Sequence, residues 1–403
     1  MPQINSDILV WARETAGFTL DEAVRKLDIR DARGVVATDR LAALEAGEDT
    51  PSRPLLVRMA KQYRRPLLTF YMSAPPPKGD RGQDFRTLPK GRSGASDSLL
   101  DALIRDILAR QSMVRAILED EEEIEPLTFV NSLDMAEGVP ATMMSIQKTL
   151  RVDLAEFRAQ DSAEKAFSLL RGRAEAAGIF VLLIGNLGSH HTAIDLDTFR
   201  GFALADPIAP FVIINDQDAK PAWSFTLLHE VAHLALGATG VSGVSADVEI
   251  ERFCNDVAGE ILLPSEELTA LDVDRGTDLE SAIARISSFA RDRNLSRSMV
   301  TYKLHRKGVI GKDRWQRLSA KFREQWFLSR AEHRERDRQR EGGPSYYVVR
   351  RHQIGPALIS LVKRTMSEGV LTPSKAGKVL GVKPTNVEAL VSGSASSGSG
   401  RAA

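Results

Sequence analysis

Residues 228–234 read Leu-His-Glu-Val-Ala-His-Leu, and within them His229, Glu230 and His233 are spaced to do chemistry together. On a helix, positions four apart share a face, so both imidazoles can address one cation with the glutamate beside them. Two neutral imidazole nitrogens suit Zn²⁺, which takes a carboxylate from elsewhere as third ligand and leaves an open fourth position for water. Such a metal brings the pKa of water towards neutrality, and Glu230 is then the expected general base.

The flanking residues supply a scaffold. Phe211-Val212-Ile213-Ile214-Asn215 is a β-branched run closed by turn formers and predicts a strand. Asp216 to Pro221 predicts a loop, and Ser224 the cap of a helix from about Phe225 to Leu236, stopped by Gly237. A second helical run begins near Glu249 and ends before Pro264. On it Glu251 is the expected third ligand, and Asn255, one turn later, is expected to orient a ligating histidine through a hydrogen bond. Glu249 is the alternative ligand. It lies about 200° from Glu251 around an ideal helix, so the two cannot both face the ion.

Phe225-Thr226-Leu227-Leu228-His229-Glu230-Val231-Ala232-His233-Leu234, then Glu251-x-x-Cys254-Asn255-Asp256-Val257-Ala258, then Leu262-Leu263-Pro264, together resemble the ImmA/IrrE family of zinc metallopeptidases. The family usually carries Ala-Asn-x-Phe-Ala where this chain has Cys254-Asn255-Asp256-Val257-Ala258, a change that spares the expected ligand. Arg200-Gly201-Phe202-Ala203 also resembles the segment ahead of the family's motif. The resemblance implies a bacterial intracellular protease whose characterised relatives cleave DNA-binding repressors. It also implies an α+β zincin-like core, a small sheet with the two ligand-bearing helices, inside a mostly α-helical chain.

The chain as a whole has 403 residues, enough for two or three domains, with 54 basic residues balancing 54 acidic ones. That balance excludes a whole-molecule electrostatic grip on nucleic acid or membrane; any such grip must be local. The single cysteine, Cys254, excludes internal disulfides and reads as a core residue in a reducing compartment. There is no basic-then-apolar leader and no run of about 18 apolar residues, so a cytoplasmic location is expected.

The first 75 residues predict several short helices: one capped at Ser6 and ended by Gly17, one opened by the Thr19–Glu22 capping box, one through Leu41–Glu45, and one from Leu55 to Tyr63. Trp11, Gly17-Phe18-Thr19, Leu44-Glu45-Ala46-Gly47, Pro51 and Tyr63-Arg64-Arg65-Pro66-Leu67 resemble the lambda-repressor-like (XRE) helix-turn-helix family. The resemblance implies an all-α DNA-binding domain, with Thr38 and Arg40 as the residues placed to reach DNA. Acids nearly equal bases over this stretch, so a protein-binding face is an equal reading.

Pro75 to Gly82 predicts a stiff linker, and residues 96–122 an amphipathic helix with an acidic end. Ile179 to Ile184 predicts a strand. His190 and His191 fall in a turn ahead of a strand at Ile194 and are left outside the metal site. Beyond Pro264 the pattern is helical, with a charge-dense helix over Trp315–Arg340 and helices over Ile354–Ser367, Pro373–Leu380 and Asn386–Val391. The expected divisions are 1–75, a connector over 76–155, a metallopeptidase domain over 156–270, a helical region over 271–391 and a Ser/Gly-rich tail over 392–403. Tyr302, His305, Tyr346 and His352 are open candidates for stabilising an oxyanion.

These features predict a zinc endopeptidase with Glu230 catalytic and His229, His233 and Glu251 holding the metal. Its expected substrate is a protein, a repressor or antitoxin-like partner, with DNA a further partner through the first domain and no membrane partner. A second reading is a DNA-binding regulator whose metallopeptidase-like domain senses zinc or binds a partner without cutting it. A purely structural zinc would normally show four protein ligands, and no fourth stands out.

Overall fold

Local signals fix most of the helices. A capping box joins Thr19 and Glu22 at the start of α2 (Leu20–Leu27), and the chain ahead of it forms α1 (Ser6–Thr15). The cap of α1 is Asn5 rather than Ser6: the Asn5 side chain accepts from Asp7 N at 3.0 Å. Next come α3 (Ala37–Glu45) and α4 (Arg53–Gln62), the latter begun by Ser52 and Pro54. Ile8, Leu41, Leu56 and Met59 from these elements close into one core with Phe70 of the 3-10 turn Leu67–Tyr71. The computed structural model describes residues 4–32, 34–75, 95–120, 124–241, 248–339 and 345–393. The Pro75–Gly82 linker, apart from Pro75, and the acidic residues 121–123 lie outside these, as does the tail beyond Gly393. The chain falls into two units, Met1–Ile107 with Asn186–Thr198, and Leu108–Gly185 with Phe199–Ala403.

The second unit is built around a small mixed sheet. α5 (Ala95–Glu119) leads into it, followed by α6 (Gly138–Leu150), α7 (Leu154–Arg158) and α8 (Ala163–Ala176). Then come β1 (Phe180–Leu183), β2 (Gly201–Leu204), β3 (Phe211–Ile214), α9 (Lys220–Ala235), β4 (Gly240–Val241) and α10 (Val248–Leu262). The sheet order is β1-β3-β2-β4; β1 runs parallel to β3, and β2 is antiparallel to both β3 and β4. β1, β2 and β3 are buried along their whole length, which explains their unbroken apolar sequences. Ile194 is buried but belongs to no strand; the nearby pairing is an isolated bridge between Asn186 and Ala193.

The remaining helices are α11 (Leu279–Arg291), α12 (Arg297–Arg306), α13 (Lys312–Gln339), α14 (Tyr346–Ile354), α15 (Pro356–Ser367), α16 (Pro373–Leu380) and α17 (Val387–Val391). The predicted helix over Ile354–Ser367 is therefore interrupted at its start, because Gly355 at φ +90° and Pro356 break the path between α14 and α15. Among the described residues no helix is long and apolar enough to cross a membrane. The chain is mostly helical, with an α+β core of zincin-like build.

α10 is anchored at its C-terminal end by one buried lysine. Lys303 of α12 donates to Gly259 O at 3.0 Å, to Leu263 O, and to the Glu260 carboxylate. Gly259 O also accepts from Leu263 N at 3.0 Å, whereas Leu263 O lies past the last helical turn, so the ammonium serves the carbonyl end of the helix, where a cation is favoured. Lys303→Met is expected to destabilise the protein by about 2–4 kcal/mol, since it leaves Leu263 O without its buried donor and removes the ammonium paired with the half-buried Glu260 carboxylate. A lower urea midpoint at unchanged m-value would register this, and an unchanged midpoint would refute the anchoring role.

Candidate metal centre

α9 starts five residues earlier than its sequence predicts. Pro221 sits in its first turn, and Ser224 is buried inside the helix rather than capping it. The helix is buried nearly all round: Leu227, Leu228, Val231, Ala232 and Leu234 pack into the main core, while His229, Glu230 and His233 are buried polar residues among them. Its C-terminal end is closed from outside the helix, where Asn131 N donates to Leu234 O at 2.9 Å and Ser132 N to Ala235 O at 2.9 Å. Gly237, at φ +66°, lets the chain leave there against Asn131, as predicted from its place after the helix.

α10 packs against α9 and brings Glu251 to both histidines. His229 Nε2 and His233 Nε2 stand 3.1 Å apart. Glu251 Oε2 lies 3.4 Å from His229 Nε2, and Glu251 Oε1 lies 3.2 Å from His233 Nε2. Bonds of about 2.0–2.1 Å in a tetrahedral site separate any two donors by about 3.3 Å. The spacings here are of that order, with one carboxylate oxygen turned to each ring and one ligand atom from each residue within 4.8 Å of the others. Two imidazoles and a carboxylate are also a donor set that Zn²⁺ accepts, and the fit is therefore both geometric and chemical. Glu249 sits exposed at the start of α10, while Glu251 is the carboxylate grouped with the two histidines as a set that could hold an ion.

The electrostatics agree with a site built for a cation. Burial alone would raise the Glu251 carboxyl, but hydrogen bonds from His229 and His233 and their charge bring it down to about 2. Burial pulls the His233 imidazole down, and hydrogen bonding to Cys254 and Glu251 outweighs it, holding the group well above the ordinary histidine range. Burial pushes the Cys254 thiol up.

Asn255 does not take the part predicted for it. It is half-buried on α10 with no hydrogen bond to either histidine among the described residues, whereas Glu251 and Cys254 are the α10 residues that bear on His233. Tyr302 and His305 pack on Trp315, and His352 lies against Trp223, so these contacts bring no oxyanion donor to the trio. Tyr346 is exposed. In the first unit Thr38 is half-buried and Arg40 exposed on α3, with Arg40 Nη1 donating to Arg30 O. His190–Thr192 form a short 3-10 turn in that same unit.

One participant carries no side chain at all. Gly201 of β2 faces Glu230, and a Cβ built there would stand 2.6 Å from Thr226 Cγ2, 2.7 Å from Glu230 Oε1 and 3.1 Å from Ile213 O. A glycine inside a buried strand marks such close approaches, which is the only sequence signal that could have identified it.

A small mixed sheet packed on a buried His-Glu-x-x-His helix, with a carboxylate from the next helix, defines a metallopeptidase-type domain. Residues 174–305, from the end of α8 to the last turn of α12, match the family model of Peptidase_M78, the IrrE N-terminal-like domain. No curated protein and no solved structure matches the chain.

Two outcomes follow from this geometry. Gly201→Ala is expected to cost about 1–3 kcal/mol by overpacking and to displace Glu230 while leaving metal content intact, which a melting curve and metal analysis would report together. Metal retained after dialysis is expected to fall as pH drops, with the loss beginning above the usual histidine range because the His233 proton competes there. Retention that is flat down to about pH 5 would contradict the trio as ligands.

Proposed function

We propose that the protein is a zinc-dependent endopeptidase that cuts a partner protein, a DNA-binding repressor or antitoxin-like regulator, in the cytoplasm. The observation that carries the metal-dependent reading is the spacing of His229, His233 and Glu251 at 3.1, 3.2 and 3.4 Å with Glu230 buried alongside. His229 and His233 offer their Nε2 atoms and Glu251 its carboxylate. Zn²⁺, when bound, supplies Lewis acidity that polarises the scissile carbonyl and lowers the pKa of water.

The rest is the work of this chain's own groups. Glu230 is not among the three donors, so its carboxylate is available as a base. It takes a proton from the attacking water and returns it to the amide nitrogen that leaves. Gly201 supports the reading by leaving room for the Glu230 carboxylate against β2. The regulatory substrate class rests on the resemblance to metallopeptidases that act on repressors. Contact of α3 with DNA through Thr38 and Arg40 would place such a substrate near its operator and is part of the same proposal.

Glu230→Gln is expected to keep its zinc and lose about 10²–10⁴-fold in cleavage rate, whereas Glu251→Ala is expected to lose the metal as well. The experiment is metal analysis of both purified variants beside a cleavage assay on a partner captured by Glu230→Gln. Wild-type cleavage of that partner by Glu230→Gln would end the mechanism. Capture without cleavage by the wild type would favour a sensor that binds without cutting.

A further inference from the structure

Residues 346–391 hold charge that the chain as a whole does not. Seven lysines and arginines stand against only Glu368 and Glu388, while the full sequence sums to zero. Arg350 and Arg351 are used internally: Arg350 Nη2 donates to Gly381 O at 2.9 Å and Arg351 Nε to Leu390 O at 2.9 Å. Lys363, Arg364, Lys375, Lys378 and Lys383 are exposed, and none of the four lysines makes an ion pair among the described residues.

Beneath these charges the backbone runs helix, turn, helix. α16 is capped by Thr372 and closed by Gly381 in the left-handed region at φ +66°. After Val382 and Lys383 the chain re-enters helix through the 3-10 turn Pro384–Asn386, which continues directly into α17. A Cβ on Gly377 would stand 2.9 Å from Val382 O and 3.2 Å from Pro384 N, so the second helix begins hard against the first. Ala376, Val379, Leu380, Val387 and Leu390 are buried where α16 and α17 meet each other and α15. Three helices with a glycine turn between the last two are the framework in which the final helix enters the major groove of DNA.

The outer surface of this unit decides between partners. On α16 and the helix that follows, it presents Lys375, Lys378, Lys383 and Thr385 beside one acid, Glu388 of α17, with no exposed aromatic or large aliphatic side chain. Protein interfaces are centred on apolar and aromatic anchors and are depleted in lysine, whereas phosphate contact is supplied by lysines and small polar side chains.

The geometry points to α15–α17 as a helix-turn-helix unit that binds duplex DNA, with Lys375, Lys378 and Lys383 on phosphates and Thr385 directed to the groove. This site is separate from the metal centre, and its test does not depend on proteolysis.

The test is a fluorescence-anisotropy titration of a labelled duplex of about two helical turns with the full-length Glu230→Gln protein over a range of KCl. Binding is expected to weaken with salt. The triple variant Lys375→Gln/Lys378→Gln/Lys383→Gln is expected to lose roughly tenfold or more in affinity at low salt and about 3 in the log–log salt slope. The corresponding triple Lys→Arg variant is expected to restore both. An unchanged melting curve for the glutamine variant separates lost contact from lost folding. Absence of duplex binding at low salt, or binding equal in the wild type and the glutamine variant, would overturn the proposal. So would loss of binding in Arg40→Gln with none in the triple variant, which places the contact in α3. Tighter binding of poly-glutamate than of the duplex would assign the surface to an acidic protein and also overturn it.

Discussion

Two imidazoles and two carboxylates are held inside a largely buried pair of helices, α9 and α10, and most of the second unit can be understood as meeting the cost of that. Each such group pays a desolvation penalty on burial, which is severe unless it is paired or bound to a metal. Here Glu251 is paired with both histidines, and the surrounding leucines and valines of α9 and α10 contribute roughly 1.5–3 kcal/mol each as they leave water. Polar atoms can be kept at tetrahedral spacing only because the apolar atoms around them cannot move. The candidate metal site is thus a property of the core and not an addition to its surface.

That rigidity comes from several directions, none close in sequence. The sheet supplies a floor, and β2 places a glycine where any side chain would push Glu230 away. Residues 131–132 close the far end of α9, and Lys303 holds the far end of α10. Fixing both helices at their ends sets the crossing between them, and the crossing sets the distance from Glu251 to the imidazoles. A shift of one ångström there would take the donors out of range of a common ion.

The parts of this arrangement visible in the sequence are those with a local signature. His229, Glu230 and His233 lie on one helical turn, and the helix holding Glu251 shows its own periodicity and its stop at Pro264. The buried strands Phe180–Leu183 and Phe211–Ile214 were readable as unbroken apolar runs, and the Thr19–Glu22 capping box as a four-residue pattern. What could not be read depended on tertiary contact. Ser224 has the composition of a cap, yet Pro221 begins the helix a turn earlier and leaves it buried. Asn255 and Cys254 are neighbours in sequence, and only the angle between α9 and α10 decides which meets His233. Lys303 looks like any surface lysine in an amphipathic helix until the end of α10 is placed beside it.

The sheet has an open side at β1, and α14 packs against it. Arg171, buried between them, donates both to Val181 O on that strand and to His352 O and Gln353 O at the end of α14, and Gln353 in turn reaches Asp216 at 2.7 Å. An uncovered strand border is a template for pairing with other chains. Loss of the segment after α13 would therefore do more than remove a helical appendage: it would uncap the sheet, and the shortened molecule would be prone to self-associate along that border even with its metal ligands intact.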